Sequence, residues 1–231
     1  MKVDIGIIGA MPAEVEELIS KLNSPARERV SGIDFYTGEL FGKRVAVAKC
    51  GVGKVFAAIC AEAMILRYSP SLIVNSGVGG ALSTSLVPTD TVIATNACQH
   101  DMDTSPLGDP KGLISGINKI YFEADSRAVE ILTEAACELN IKALVGTVAS
   151  GDRFVADRGE KARIAGDFGA VACEMEGAAV AHTAFVNETP FALIRAISDS
   201  ANGDAAMDYS EFLPVAAKIS SSLTLALIKA Y

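Results

Sequence analysis

The chain alternates short, unbroken apolar runs with longer stretches whose apolar residues recur every three or four positions. The first kind reads as buried strands and the second as amphipathic helices. Asp4-Ile-Gly-Ile-Ile-Gly is strand-like. A helix opens at Ala10-Met-Pro-Ala-Glu, with Val15, Leu18, Ile19 and Leu22 on its apolar face. Pro12 suits the first turn, where a missing N–H costs little. Phe35–Leu40 and Arg44–Lys49 flank Phe41-Gly-Lys as a hairpin. Cys50-Gly-Val-Gly-Lys-Val leads into a helix from Phe56 to Tyr68. The strand Leu72–Ser76 then runs into a Gly77-Val-Gly-Gly-Ala loop, and Thr91–Thr95 is a further strand. Cys98 through Gly116 reads as loop. Ser126–Leu139 is an amphipathic helix and Ala143–Ala149 a strand. Val171–Cys173 is a strand, followed by a helical run to Asn187 and the strand Phe191–Ile197. A long helix from Tyr209 or Ser210 to Ala230 follows. This alternation predicts one α/β domain over residues 1–231. It is a three-layer sandwich with helices on both faces of a mixed, mostly parallel central sheet, the hairpin making it mixed.

Composition narrows the partners. Half of the 231 residues are apolar, enough to bury such a sheet. The formal net charge of -8 disfavours nucleic acid and anionic membrane, which need a basic face, and is compatible with a small neutral or zwitterionic substrate. Five cysteines at 50, 60, 98, 137 and 173 form no Cys-x-x-Cys pair. They read as reduced, buried thiols of a cytoplasmic protein. The N-terminal apolar run turns acidic at Glu14, Glu16 and Glu17, unlike a signal peptide. No uncharged apolar run approaches the roughly 20 residues that span a bilayer.

Three carboxylates, Glu174, Glu176 and Asp199, fall at the ends of two neighbouring short apolar strands. Ligands of α/β sheets bind beyond strand ends, so each acid is either a solvated loop charge or a working group, and their clustering favours a site. Glu14 lies in the first turn of its helix, near the positive end of the dipole. The glycines there make no Gly-x-Gly-x-x-Gly fingerprint. Gly51-Val-Gly-Lys is no P-loop, since Val55 stands where the metal-binding hydroxyl belongs. Gly77–Gly80 is either a tight turn or a place where backbone N–H groups meet a sugar or anion. His100, Asp101 and Asp103 lack a further ligand at a familiar spacing, so a solvated or interface loop is expected there, with no metal and no cofactor. Phe154 and Val155, just past a strand end, are either a core plug or a stacking surface.

Taken in order, Gly6-Ile-Ile-Gly-Ala-Met with Glu14, Gly51-Val-Gly-Lys, Asn75-Ser-Gly-Val-Gly-Gly, Ser150-Gly-Asp-Arg-Phe, Glu174-Met-Glu and Arg195-Ala-Ile-Ser-Asp closely resemble the 5′-methylthioadenosine/S-adenosylhomocysteine nucleosidases. The resemblance covers nearly the whole chain. It implies the nucleoside phosphorylase-like fold, a homodimer, and hydrolysis of the N-glycosidic bond of 5′-thio-substituted adenosines and of 5′-deoxyadenosine, a step in methionine salvage. It assigns Asp199 to protonating adenine N7, Ser198 to the hydroxyl beside it, and Glu14 to holding the attacking water. Glu176 is matched to the ribose hydroxyls and Met175 to the face of the sugar. Phe154 and Val155 fall in the adenine pocket and Gly80 beside the ribose, with Met11, Val78 and Tyr209 also among the substrate-binding positions. The residue types suit that chemistry, because an acid at N7 lets adenine leave neutral and carboxylates stabilise an oxocarbenium-like sugar. Asp199 must then hold a proton near neutral pH, which burial favours.

In the loop over 100–122, the stretch Asp103–Gly116 carries none of the aromatics of many relatives, leaving Leu107, Leu113 and Ile114 to cover the 5′ group of the same subunit or across a dimer interface. Tyr209 stands where Phe is common, and Pro12 and Ala13 replace acidic residues. Three rivals share the features: a purine nucleoside phosphorylase, a hydrolase of 6-amino-6-deoxyfutalosine, and a silent nucleoside-binding protein. The first needs a phosphate site, yet Gly77–Leu82 contains no Arg or Lys.

Overall fold

A computed structural model describes residues 2–201 and 205–231. Ten strands among them form one sheet, numbered here in chain order: β1 Ile5–Gly9, β2 Asn23–Val30, β3 Ile33–Leu40, β4 Lys43–Lys49, β5 Leu72–Ala81, β6 Thr91–Gln99, β7 Phe122–Glu123, β8 Ala143–Ser150, β9 Ala170–Glu174 and β10 Phe191–Asp199. Six helices are α1 Pro12–Ser20, α2 Lys54–Tyr68, α3 Ser126–Glu138, α4 Arg158–Phe168, α5 Gly177–Val186 and α6 Ala205–Ala230.

The sheet is mixed, as expected. Parallel pairings run through its centre, joining β1 to β4 and β5, β5 to β10, β6 to β8 and β8 to β9. The antiparallel meander β2-β3-β4 forms one edge. The alternation could not reveal that the other end closes on itself. β5 pairs with β10, β10 with β6, β6 with β8 and β8 with β9, and β9 returns to β5 through Gly80↔Cys173 and Ala81↔Ala172. Gly80 therefore sits between two strand ends, paired with Cys173 on one side and Asp199 on the other. Helices α1, α3 and α6 bury one face with Leu18, Leu132, Leu223 and Leu227, while α2 and α5 bury the other with Ala61, Met64 and Val180. By length and composition Tyr209–Ala230 could cross a membrane, but Leu223, Leu227 and Ile228 of that helix are wholly buried in the core.

Four expectations are corrected. Gly77–Ala81 is no loop, because β5 continues through it to Ala81. Glycine there makes room for neighbouring side chains rather than for a turn. The edge strand β2 was not predicted, since its residues are mostly exposed and polar and show no apolar alternation. Neither was α4, a polar helix that buries only Lys161, Ile164 and Phe168. Its signals were present nonetheless: Asp157 caps the N-terminus by accepting the Glu160 N–H at 2.8 Å, and Gly169 ends it in the left-handed region. Finally, four of the five cysteines are buried, but Cys137 is exposed.

Candidate active site

A cleft opens where the ends of β1, β5, β9 and β10 meet. Glu14, Glu176 and Asp199 all line it. So do Met11, Val78, Gly80, Phe154, Val155, Met175, Ser198 and Tyr209, so the structure brings all the expected site residues together. The two proposed catalytic acids come from opposite ends of the sequence and open onto one space.

Glu14 is buried in the first turn of α1. Its Oε2 accepts the Ala10 N–H at 2.6 Å and the Met11 N–H at 3.0 Å, and its Oε1 accepts the Val78 N–H at 3.0 Å. A carboxylate has about four acceptor sites, so three backbone donors fix its orientation and leave room for one more. Burial pushes this carboxyl above its ordinary range, against the charge of Arg195 and those three N–H bonds. The Val78 N–H thus serves Glu14, not a ligand as the sequence allowed. A Cβ on Gly77 would collide with Glu14 Oε1, so glycine is required there by close approach.

Asp199, at the end of β10, is also buried. Its Oδ1 accepts from Ser198 Oγ at 3.1 Å and its Oδ2 from Lys161 Nζ at 2.7 Å. A Cβ on Gly80 would lie 2.8 Å from Oδ2, so a second β5 glycine makes room for the second acid. Gly77 and Gly80 stand three residues apart, about 10 Å of strand, which separates the two carboxylates along the cleft.

Glu174 and Glu176 differ in role. Glu174 is wholly committed: it accepts from Ser150 Oγ, from the N–H groups of Glu176 at 3.0 Å and Gly177 at 2.7 Å, and from the buried Arg195 guanidinium. Burial works to raise its pKa, but Arg195 and these hydrogen bonds outweigh it and hold the carboxyl below its usual range. Arg195 is in turn tied to Asn75, whose amide donates to the Ile8 carbonyl. Glu176 keeps one oxygen on the Gly53 N–H at 2.8 Å. Burial, reinforced by the charge of Glu174, pushes it up to about 7. The carboxylate cluster expected from sequence is therefore one structural acid and one cleft acid.

Phe154 is 49% exposed and meets Tyr209 edge to face at 5.5 Å, while Tyr209 Oη donates to Met11 Sδ at 3.1 Å. Phe154 is thus no core plug but part of the cleft's mouth. The chain from 100 to 103 has other engagements. Asp101 accepts from Lys54 Nζ and the Asp152 N–H, Asp103 from the Ser105 N–H, and His100 is buried against Gly151.

The sequence matches the profile of the phosphorylase superfamily over residues 4–229. It is 35% identical over 227 residues to a 5′-methylthioadenosine/S-adenosylhomocysteine nucleosidase of Shewanella halifaxensis, covering 97% of this chain and 98% of that one. Its structure is similar to that of the nucleosidase of Neisseria meningitidis in complex with methylthio-immucillin-A, with a TM-score of 0.95, 34% identity and 99% of both chains covered. It is also similar to the futalosine hydrolase of Helicobacter pylori, with a TM-score of 0.93, 31% identity, and 99% of this chain and 98% of that one covered.

The chain belongs to the 5′-methylthioadenosine/S-adenosylhomocysteine nucleosidases of the phosphorylase superfamily.

One feature of this nucleosidase escaped the sequence. Lys161, the ion-pair partner of Asp199, lies on the helix that apolar periodicity failed to reveal. Of the two placements left open for the 5′ cover, Leu107, Leu113 and Ile114 do not line the cleft of their own chain. Leu107 is 84% exposed and Ile114 packs against another part of the core.

Proposed function

We propose that the chain hydrolyses the N-glycosidic bond of 5′-methylthioadenosine, S-adenosylhomocysteine and 5′-deoxyadenosine, releasing adenine and the 5-substituted ribose. The observation that carries this reading is that Glu14, Glu176 and Asp199 open onto one cleft; in this reading Glu14 and Glu176 serve the sugar and Asp199 the base. Asp199 passes a proton to adenine N7 as the C1′–N9 bond breaks, so the base leaves neutral. General acid help of this kind is typically worth about 10²–10⁴-fold. Glu14, with one acceptor site open, orients a water on the opposite face of the ribose and takes its proton as the oxygen bonds to C1′. Glu176 accepts from the ribose hydroxyls, and Glu14 places negative charge beside the oxocarbenium-like sugar. Met175 packs on the sugar, Phe154 and Val155 on the base, and Met11 and Tyr209 toward the 5′ end.

The same cleft disfavours a phosphorylase. Its one lining cation among the described residues is Arg153, which is exposed and paired with Glu160 at 3.0 Å, and the nucleophile's place is held by Glu14, which repels an anion. Adenine release from methylthioadenosine, measured with and without inorganic phosphate, tests this: turnover is expected without phosphate, and a strict phosphate requirement overturns it. A hydrolase of 6-amino-6-deoxyfutalosine releases the same base, so a panel of 5′-substituted adenosines separates the two.

The active form is a cytoplasmic homodimer in this reading. Val55, Ile59 and Leu66 of α2 and Val186 of α5 are exposed and line one open, largely apolar groove, the kind of surface that marks an interface. Leu107, projecting from its own chain, is then available to the partner's 5′ site. Sedimentation of the native protein tests the dimer, and a monomer overturns it.

A further inference from the structure

We propose that Lys161 is a positioning residue for the leaving-group acid: its ammonium fixes the Asp199 carboxylate and balances the negative charge left there once the proton has passed to the purine. The inference rests on the assignment of Asp199 above and adds to the reaction a residue outside the cleft.

Lysine is almost never fully buried unless it is paired. The Lys161 side chain is 3% exposed and spends its ammonium on two partners, Asp199 Oδ2 at 2.7 Å and the Ser200 carbonyl at 2.8 Å. It reaches Asp199 from α4, behind the carboxylate, and does not line the cleft. Oδ2 is thereby committed to Lys161. Oδ1 is left as the oxygen that exchanges a proton. Its neighbour Ser198 Oγ has a single proton and two acceptors in reach, Asp199 Oδ1 at 3.1 Å and the Gly79 carbonyl at 3.3 Å. When Oδ1 carries the catalytic proton, Ser198 donates to Gly79. When that proton has gone to N7, Ser198 can turn back to the carboxylate. The hydroxyl and the ammonium together stabilise the product form of the acid.

The balance is simple. The proton leaves Oδ1 for N7, and the electrons of the C1′–N9 bond go to adenine. Water oxygen bonds to C1′, and its proton goes to Glu14. Asp199 ends as a carboxylate facing Lys161, and no other species is needed.

No other cation does this work among the described residues. The groups facing Asp199 from the surrounding elements are Glu14 of α1, Cys173 and Glu174 of β9, Glu176, Tyr209 of α6 and Arg153. All are acids or uncharged except Arg153, which is exposed and paired with Glu160. Arg195 is spent on Glu174, Asn75 and, at 3.9 Å, Glu176.

The test is the pH profile of adenine release from methylthioadenosine by wild type, Lys161→Met, Lys161→Gln and Lys161→Arg, with Lys161→Met repeated in the Asp199→Asn background. The expected result is a kcat lowered about tenfold or more in Lys161→Met with KM little changed. Its alkaline limb should move to higher pH, because removing a neighbouring cation disfavours the charged form of a carboxyl. Lys161→Arg should keep the wild-type limb, and Lys161→Met should cost nothing further once Asp199 is Asn. An unmoved limb, or a loss that persists in the Asp199→Asn background, reduces Lys161 to a packing residue and overturns the inference. If Lys161→Met does not fold, Lys161→Gln carries the same comparison. An unimpaired Asp199→Asn enzyme would instead sink the assignment of the acid itself. A wild-type enzyme that needs Asp199, together with an unmoved Lys161→Met profile, sinks only the role of Lys161.

Discussion

Replacing Glu176 by Gln isolates the cost of burying a titrating carboxyl. Glu176 is held at about 7 in the folded protein against 4.5 for an unperturbed glutamate, because burial and then the charge of Glu174 disfavour its ionised form. A group whose pKa is raised on folding is stabilising in its protonated state. The folded protein binds more protons than the unfolded chain between 4.5 and 7, so stability falls as pH rises through that window. The difference of about 2.5 units corresponds to roughly 3 kcal/mol at 1.36 kcal/mol per unit. Gln keeps the shape and an oxygen for the Gly53 N–H but cannot ionise. Urea unfolding of both ligand-free proteins at intervals from pH 4.5 to pH 8 measures the difference directly. The two should be close in stability at the acid end, and Glu176→Gln should exceed wild type by about 3 kcal/mol at the alkaline end. Glu174, held below its usual range by Arg195 and its hydrogen bonds, and Glu14 are both present in the two proteins, so the comparison isolates Glu176. Parallel stability curves would refute the claim that Glu176 is strained toward its neutral form.

Asp199→Asn should leave the fold and nucleoside binding intact while lowering the rate of adenine release by about 10²–10⁴-fold, read by single-turnover kinetics. Glu14→Gln should lose a comparable factor. It should also lose about 1–3 kcal/mol of stability in urea unfolding, because the new NH₂ group leaves one of the Ala10, Met11 and Val78 N–H groups without its acceptor. Gly80→Ala inserts a Cβ 2.8 Å from Asp199 Oδ2, so it should cost about 1–3 kcal/mol of stability and, by displacing the acid, about 10²-fold in kcat. A Gly80→Ala enzyme with wild-type kcat would show that the acid tolerates displacement.

Most of the architecture was legible because buried strands and amphipathic helices leave distinct periodicities. The apolar runs at Ile5–Ile8, Leu72–Val74 and Phe191–Ile197 are β1, β5 and β10, and the apolar stripe at 126–139 is α3. Elements without such a stripe were missed for that reason. β2 lies on the sheet's polar edge, and α4 buries a lysine where a helix ordinarily buries an apolar side chain. The glycines of β5 misled in a related way. Their missing side chains looked like a turn, whereas in the folded strand the missing Cβ atoms are the space that Glu14 and Asp199 occupy.

The site divides along the same line. By itself the sequence determined which residue types were available, and the order of its motifs pointed to the acids at 14, 176 and 199, the hydroxyl at 198 and the aromatic at 154. Local chemistry of that kind is written in residue identity and near-neighbour spacing. Only the tertiary structure decided that Glu174 is consumed by Arg195 while its neighbour Glu176 faces the cleft, that the Val78 N–H of β5 reaches across to hold Glu14, and that Lys161 stands behind Asp199. Each is a contact between segments far apart in the chain, made where the ring of strands closes. No local pattern encodes which buried charge finds which partner, because that is set by the packing of the whole sheet.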